Sequence, residues 1–219
     1  MLDATRGASR QSRLTNAMVG FDDFVRSHPV WGDLWNSWRS SAFRKDAFDL
    51  LGSEMREGLL ERTGSSVPAR MHGAALRSRL VHRVDFDVNY SVRGYRLTPH
   101  TDSPKKLLAL VLYLPAADRP EVGAGTGFWK RRVGTVVPED AWWSKGQLPR
   151  LVDGYDSSDR VDGVMDRFRA AMEQFHLAEY APNTLVGFVK TQDSWHDVDL
   201  RDFPEGARRR VVLYNINLR

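Results

Sequence analysis

The sequence predicts a mainly β protein with flanking helices, an antiparallel β-sandwich or double-stranded β-helix (jelly-roll) with a helical region ahead of it. Three observations carry this expectation. Apolar residues recur at helical spacing up to about residue 62 and change to strand-like alternation from Leu76 onward. Several short apolar runs then follow, each bounded by Gly, Pro, Asn or Asp. Strands gathered behind a helical lead-in, rather than alternating with helices, favour an antiparallel core with helices packed outside.

Taken in order, residues from about 21 to 62 read as helical. Trp31, Leu34, Trp35 and Trp38 form one apolar stripe, separated from what precedes it by Pro29, and Phe43, Ala47, Leu50, Leu51 and Met55 form another. "TGSSVPAR" at 63–70 is a loop by composition. In "LVHRVDFDVNY", Leu80, His82, Val84, Phe86 and Val88 take one face, and Val81, Arg83, Asp85, Asp87 and Asn89 the other. Further strands are expected at Lys106–Leu114, Leu185–Lys190 and Val211–Leu218. Between Pro138 and Pro182 an excursion carries Trp142 and Trp143 and then an amphipathic helix, with Val161, Val164, Met165, Phe168, Met172 and Phe175 on one face. The expected organisation is one domain, 1–219: a helical support region at 1–75 and a β core at 76–219, with an inserted loop and helix at about 139–178.

Composition narrows the function classes. The chain has 219 residues, 42% apolar, 27% charged and 11% aromatic, and no run approaches the roughly 20 apolar residues needed to cross a bilayer. The N-terminal segment has arginines but no continuous apolar stretch, so no signal peptide is expected. With no cysteine there is no disulfide framework and no thiolate metal site, which fits a cytoplasmic protein. The net charge is +4, and its basic clusters, "KRR" at 130–132 and "RRR" at 208–210, are shorter than the stripe of a nucleic-acid binder. A small-molecule partner is expected instead.

Any metal must therefore be held by His, Asp or Glu. In "PHTD", His100 and Asp102 are separated by one residue, so an extended backbone points both side chains to one face. His196, in "KTQDSWHDV", follows an apolar strand and a polar turn and offers a third ligand. Two imidazoles and one carboxylate make a facial triad with open positions, suited to non-haem Fe(II) and oxygen chemistry. Shortly afterwards "ARRRVVLYNINL" opens a strand with Arg208, Arg209 and Arg210. A buried arginine there can grip a carboxylate bidentately, as lysine cannot.

The ordered set His100, Asp102, His196 and Arg208 to Arg210 resembles the Fe(II)/2-oxoglutarate-dependent dioxygenases, in particular the prolyl-hydroxylase-like branch and its small bacterial members. "YRLTPHTD" resembles that branch's strand leading into the first ligands, "LLALVLYLP" the next strand, "GAGTGFW" the glycine-containing turn after it, and "APNTLVGFVKTQDSWHDV" the segment bearing the second histidine. The resemblance covers roughly residues 80–219. It implies a double-stranded β-helix, Fe(II) held by His100, Asp102 and His196, and 2-oxoglutarate and O2 as co-substrates. It also implies hydroxylation of a small-molecule or amino-acid-like substrate, with release of succinate and CO2. The family's arginine matches Arg209 with Val211, then Arg210 with Val212, with Arg208 third; Asn89, Tyr90 and Tyr95 are further co-substrate candidates.

Two other classes stay open. A cupin-like metalloenzyme that does not use 2-oxoglutarate would need the ligands but not the arginines. A non-catalytic β-barrel serving as a binding module would need neither. Arg83, Asp85 and Asp87, with Trp142 and Trp143, are expected at the pocket rim. His28, His72, His82 and His176 have no such company and read as surface or core histidines.

Overall fold

The computed structural model describes residues 11–63, 82–103, 105–116, 123–135, 166 and 168–218. Three helices, α1 (Phe21–Ser27), α2 (Pro29–Trp38) and α3 (Ser41–Thr63), are preceded by strand β1 (Gln11–Thr15). Strands β2 (His82–Ser91), β3 (Arg96–His100), β4 (Lys106–Tyr113) and β5 (Gly127–Arg131) follow, then β6 (Met172–Leu177), β7 (Leu185–Val189), β8 (Trp195–Asp199) and β9 (Arg209–Leu218). They form a five-stranded sheet, β1-β2-β9-β4-β7, and a four-stranded sheet, β3-β8-β5-β6, with antiparallel pairing throughout.

Strand alternation divides the apolar residues into two cores. On one face of the five-stranded sheet, Phe86, Leu108, Leu110, Val212, Tyr214 and Ile216 pack against Phe21, Trp38 and Met55 of the helices. Edge-on ring contacts join Trp38 to both Phe86 and Tyr214. On the opposite face Val111, Tyr113 and Val211 pack towards the second sheet, meeting Val198 of β8 and Phe128 of β5. The result is helices, five-stranded sheet and four-stranded sheet in layers, with the second core between the sheets.

Pro29 starts α2, where its missing N–H costs nothing. Phe43, Ala47, Leu51 and Met55 face the core, whereas Leu50, expected on the same stripe, is 76% exposed. It stands one residue away from Leu51, about 100° around the helix. Four strands depart from the sequence reading: β5 begins inside the expected glycine-containing turn, β8 carries His196 within a strand rather than after one, and β1 and β6 differ further. β1 is a short segment paired to β2, where no element was expected. The helix predicted through Phe175 ends by Ala171, and Met172–Leu177 is β6, paired with β5. Ladder bonds to β5 prevail over the helical spacing of Phe168, Met172 and Phe175 and leave Phe175 exposed. The rest of the expected insertion, including Trp142 and Trp143, lies outside the described residues, as do Leu80, Val81 and His72. Among the described residues no helix is long and apolar enough to cross a membrane.

Candidate metal centre

The four-stranded sheet, through neighbouring strands β3 and β8 and the loop after β3, brings His100, Asp102 and His196 together, with one ligand atom from each lying within 4.8 Å of the others. β3 and β8 pair at Arg96↔Asp199 and Leu97↔Val198, after which the register shifts and His100 lies opposite His196. Without that extra residue Pro99 would occupy the position across from His196. β3 is the edge of its sheet, where a proline is tolerated because no ladder bond is needed on its outer side. Asp102 follows in the loop after β3 rather than in the strand itself. The imidazole centroids of His100 and His196 are 4.4 Å apart. Asp102 Oδ1 is 3.9 Å from His100 Nε2, and its Oδ2 is 3.7 Å from His196 Nε2.

The electrostatics suit a cation. His196 is buried, and burial, reinforced by the neighbouring His100, brings its pKa down to about 3, so the ring is neutral at physiological pH. Its Nδ1–H donates to the Ser194 carbonyl at 3.0 Å, which leaves the Nε2 lone pair directed at the site. Burial pushes the Asp102 carboxyl up, but Lys106, with Nζ 2.8 Å from Oδ1, and then the two histidines outweigh it and hold the group below its ordinary value. Asp102 Oδ2 is buried and accepts no hydrogen bond among the described residues. An orphaned carboxylate oxygen facing imidazole nitrogens fits a divalent metal ion, which would supply the missing partner. Phe188 of β7, its ring 4.4 Å from that of His196, and Phe128 at 6.4 Å form an apolar wall beside the ligands.

A second polar cluster lies along the same inner surface. Arg209, first residue of β9, is 5% exposed. Its Nε donates to the Ala124 carbonyl at 2.6 Å and its Nη2 to Thr126 Oγ1 at 3.4 Å, with the guanidinium 5.5 Å from the Tyr113 ring centroid. The Tyr113 hydroxyl donates to Thr126 Oγ1 at 2.8 Å and accepts from the Thr126 N–H at 2.9 Å. Among the described residues no carboxylate pairs with Arg209. Burial lowers its pKa, opposed by Tyr113, Tyr180 and Tyr95. A guanidinium this buried, with tyrosines around it, has the charge and the donors to take an anion as partner. The turn at 123–127 links the two clusters, because Thr126 contacts Arg209 while Phe128, two residues on, pairs with His196.

Other sequence candidates are divided by strand alternation. Asn89 is buried opposite Val211, and neither atom of its amide has a hydrogen-bond partner among the described residues. Tyr95 packs at the inner core. Tyr90 pairs with Arg210 on the other face of the five-stranded sheet, and the exposed Arg208 stacks its guanidinium 5.1 Å from the Tyr90 ring centroid. The structure therefore does not bring Tyr90, Arg208 or Arg210 to the cluster around Arg209. The acidic face of β2 also differs from the expected rim. Asp87 is buried and paired with Arg13 at 2.6 Å, Asp85 accepts from Asn217 at 2.9 Å, and only Arg83 is exposed. Of the remaining histidines, His28 and His176 are exposed. Tyr113, Thr126 and Lys106 were not anticipated as site residues. Tyr113 ends the apolar run of β4, so its neighbours along the chain showed no sign of a polar role.

No protein-family model and no curated protein matches the chain. Solved structures that resemble it include the following two. A prolyl-4-hydroxylase from Pseudomonas putida is 15% identical, with a TM-score of 0.35, and the match covers 68% of this chain and 56% of that one. An oxidoreductase of the 2OG-Fe(II) oxygenase family from Burkholderia pseudomallei is 12% identical, with a TM-score of 0.36, covering 75% and 57%. The chain thus spans little more than half the length of either. Superposition at this level carries no weight for fold or activity, and the site stands on its own geometry.

Proposed function

We propose that the protein is an Fe(II)- and 2-oxoglutarate-dependent oxygenase, built on a double-stranded β-helix, that hydroxylates a small-molecule or amino-acid-like substrate. The observation that carries this reading is the convergence of His100, Asp102 and His196, with its orphaned carboxylate oxygen, between the two sheets. Support comes from Arg209, a buried cation without a carboxylate partner among the described residues, on the same inner surface.

His100, Asp102 and His196 would hold the metal. Bound there, Fe(II) supplies the capacity to activate O2, which protein side chains lack. Ser194 fixes the tautomer of His196 so that Nε2 is available, and Phe188 and Phe128 keep water from that side of the ligands. Arg209 would anchor the distal carboxylate of 2-oxoglutarate, with the Tyr113 hydroxyl oriented beside it by Thr126. Asn89, whose amide donor and acceptor have no partner among the described residues, would be a further contact for the co-substrate or substrate.

The test is an anaerobic titration of metal-free protein with Fe(II) and then 2-oxoglutarate, followed in the visible range. A charge-transfer band on the second addition is the expected result and would open a substrate screen by succinate release. Iron binding without the band would shift the assignment to a metalloenzyme that does not use 2-oxoglutarate. No iron binding by folded protein would refute the metal centre.

A further inference from the structure

Lys106 lies where a regular strand would not put it. Along β4, Leu108 and Leu110 face the helices, and strict alternation would send Lys106 out with them. The ladder to β9 instead pairs Lys106 with Asn217 and Leu108 with Ile216, so Lys106 and Leu107 together oppose one residue. This bulge turns Lys106 to the inner face, where its side chain is 18% exposed and Nζ lies 2.8 Å from Asp102 Oδ1. A mostly buried ammonium is costly, and a bulge that aims one at a metal-ligand carboxylate is a built feature.

We propose that Lys106 sets the charge balance of the metal centre. It occupies one oxygen of Asp102 and leaves Oδ2 as the single ligating oxygen. It weakens the site's hold on a bare divalent cation and draws an anionic ligand to the metal's open positions. The inference rests on the metal-centre reading above. Its physical basis is a count of charge: one carboxylate with two neutral imidazoles is a donor set of −1, and the ammonium brings it to zero. A divalent ion is then less attracted, while an anion arriving beside it gains a second positive neighbour. Arg209 provides a separate anchor at Ala124 and Thr126, so the two cations answer to different parts of a ligand.

The experiment uses metal-free full-length protein, with Mn(II) as the metal probe and 2-oxoglutarate added afterwards, both followed by calorimetry. Wild type must bind Mn(II) in a manner abolished by Asp102→Ala; if it does not, the metal-centre reading fails before Lys106 is tested. Lys106→Met is expected to bind Mn(II) roughly tenfold tighter or more, and to bind 2-oxoglutarate more weakly by a similar factor. Lys106→Arg should restore the wild-type pattern. Lys106→Gln keeps a hydrogen-bond donor without charge and should follow Met. Mn(II) affinity that falls or stays unchanged in Lys106→Met, in protein whose far-ultraviolet circular dichroism is native, overturns the proposal. So does a Gln variant that behaves as wild type, which would assign the role to hydrogen bonding alone.

Discussion

Replacing Arg209 with Met separates a binding role from a structural one. The guanidinium makes one short bond, to the Ala124 carbonyl, and one long bond, to Thr126 Oγ1. Each contributes about 0.5–1.5 kcal/mol net, and the stranded Ala124 carbonyl costs a further ~1–3 kcal/mol. Against this, the variant relieves the burial of a cation that has no carboxylate partner among the described residues, a cost of several kcal/mol. The terms oppose one another, so net destabilisation should not exceed about 2 kcal/mol, or roughly 8 °C in Tm for a chain of this size. Binding should respond differently. A buried arginine–carboxylate contact broken on one side costs about 3–5 kcal/mol, which is roughly a 10²- to 4 × 10³-fold loss of 2-oxoglutarate affinity. The assay is thermal denaturation, then calorimetric titration of the Mn(II)-loaded variant with 2-oxoglutarate. A variant that melts far below wild type yet binds 2-oxoglutarate with full affinity would refute the reasoning. It would make Arg209 a strut for the turn at 123–127.

Asp102→Ala and His196→Ala should each abolish metal binding, and near-native affinity in either, measured by calorimetry, would exclude that residue as a ligand. The pH dependence of the metal-free protein involves two groups of opposite sign. His196, depressed to about 3 from 6.5, makes stability fall as pH drops through that interval. Asp197, which burial raises from 3.8 to about 6, contributes stability at low pH that is lost as pH rises through 6. Between about pH 4 and 6 they offset each other, so the wild-type denaturation midpoint should be nearly flat. In Asp197→Asn it should decline on acidification, and a flat profile there too would count against the burial of His196 as the cause. Gly125→Ala places a Cβ 1.7 Å from the Ala178 carbonyl oxygen, a backbone atom that cannot swing away. A loss of about 1–3 kcal/mol or more is expected by chemical denaturation, and an unchanged midpoint would show that the turn yields more readily than its packing implies.

The layered fold was legible wherever one face of an element is apolar. Phe86, Val212 and Ile216 alternate cleanly, and Trp38 and Met55 recur at helical spacing, because each packs into one core. β1 and β6 were not legible, and β5 and β8 were read as a turn and a loop. Gln11–Thr15 has one apolar residue and takes its conformation from β2, while Phe168, Met172 and Phe175 match a helix until partner strand β5 decides otherwise. The three metal-centre residues could be found because ligand chemistry limits the choice to His, Asp and Glu, and His100 and Asp102 share a short segment. Alternation also shows why Asn89 and Tyr90 do not both reach one cluster: neighbours on a strand face opposite ways. Tyr113 was hidden by its apolar surroundings. Lys106 was hidden by a bulge that no residue type announces.

The two irregular pairings at the centre, beyond Leu97 in β3 and at Leu107 in β4, make its geometry depend on residue count as much as residue identity. Inserting one residue between Leu97 and His100 would retain every ligand yet carry His100 one position past His196 and onto the other face, a more damaging change than most substitutions there. Alignment gaps placed freely in these stretches would pair the wrong positions between homologues. Transplanting the centre onto another β scaffold would likewise require carrying over both interruptions along with the side chains.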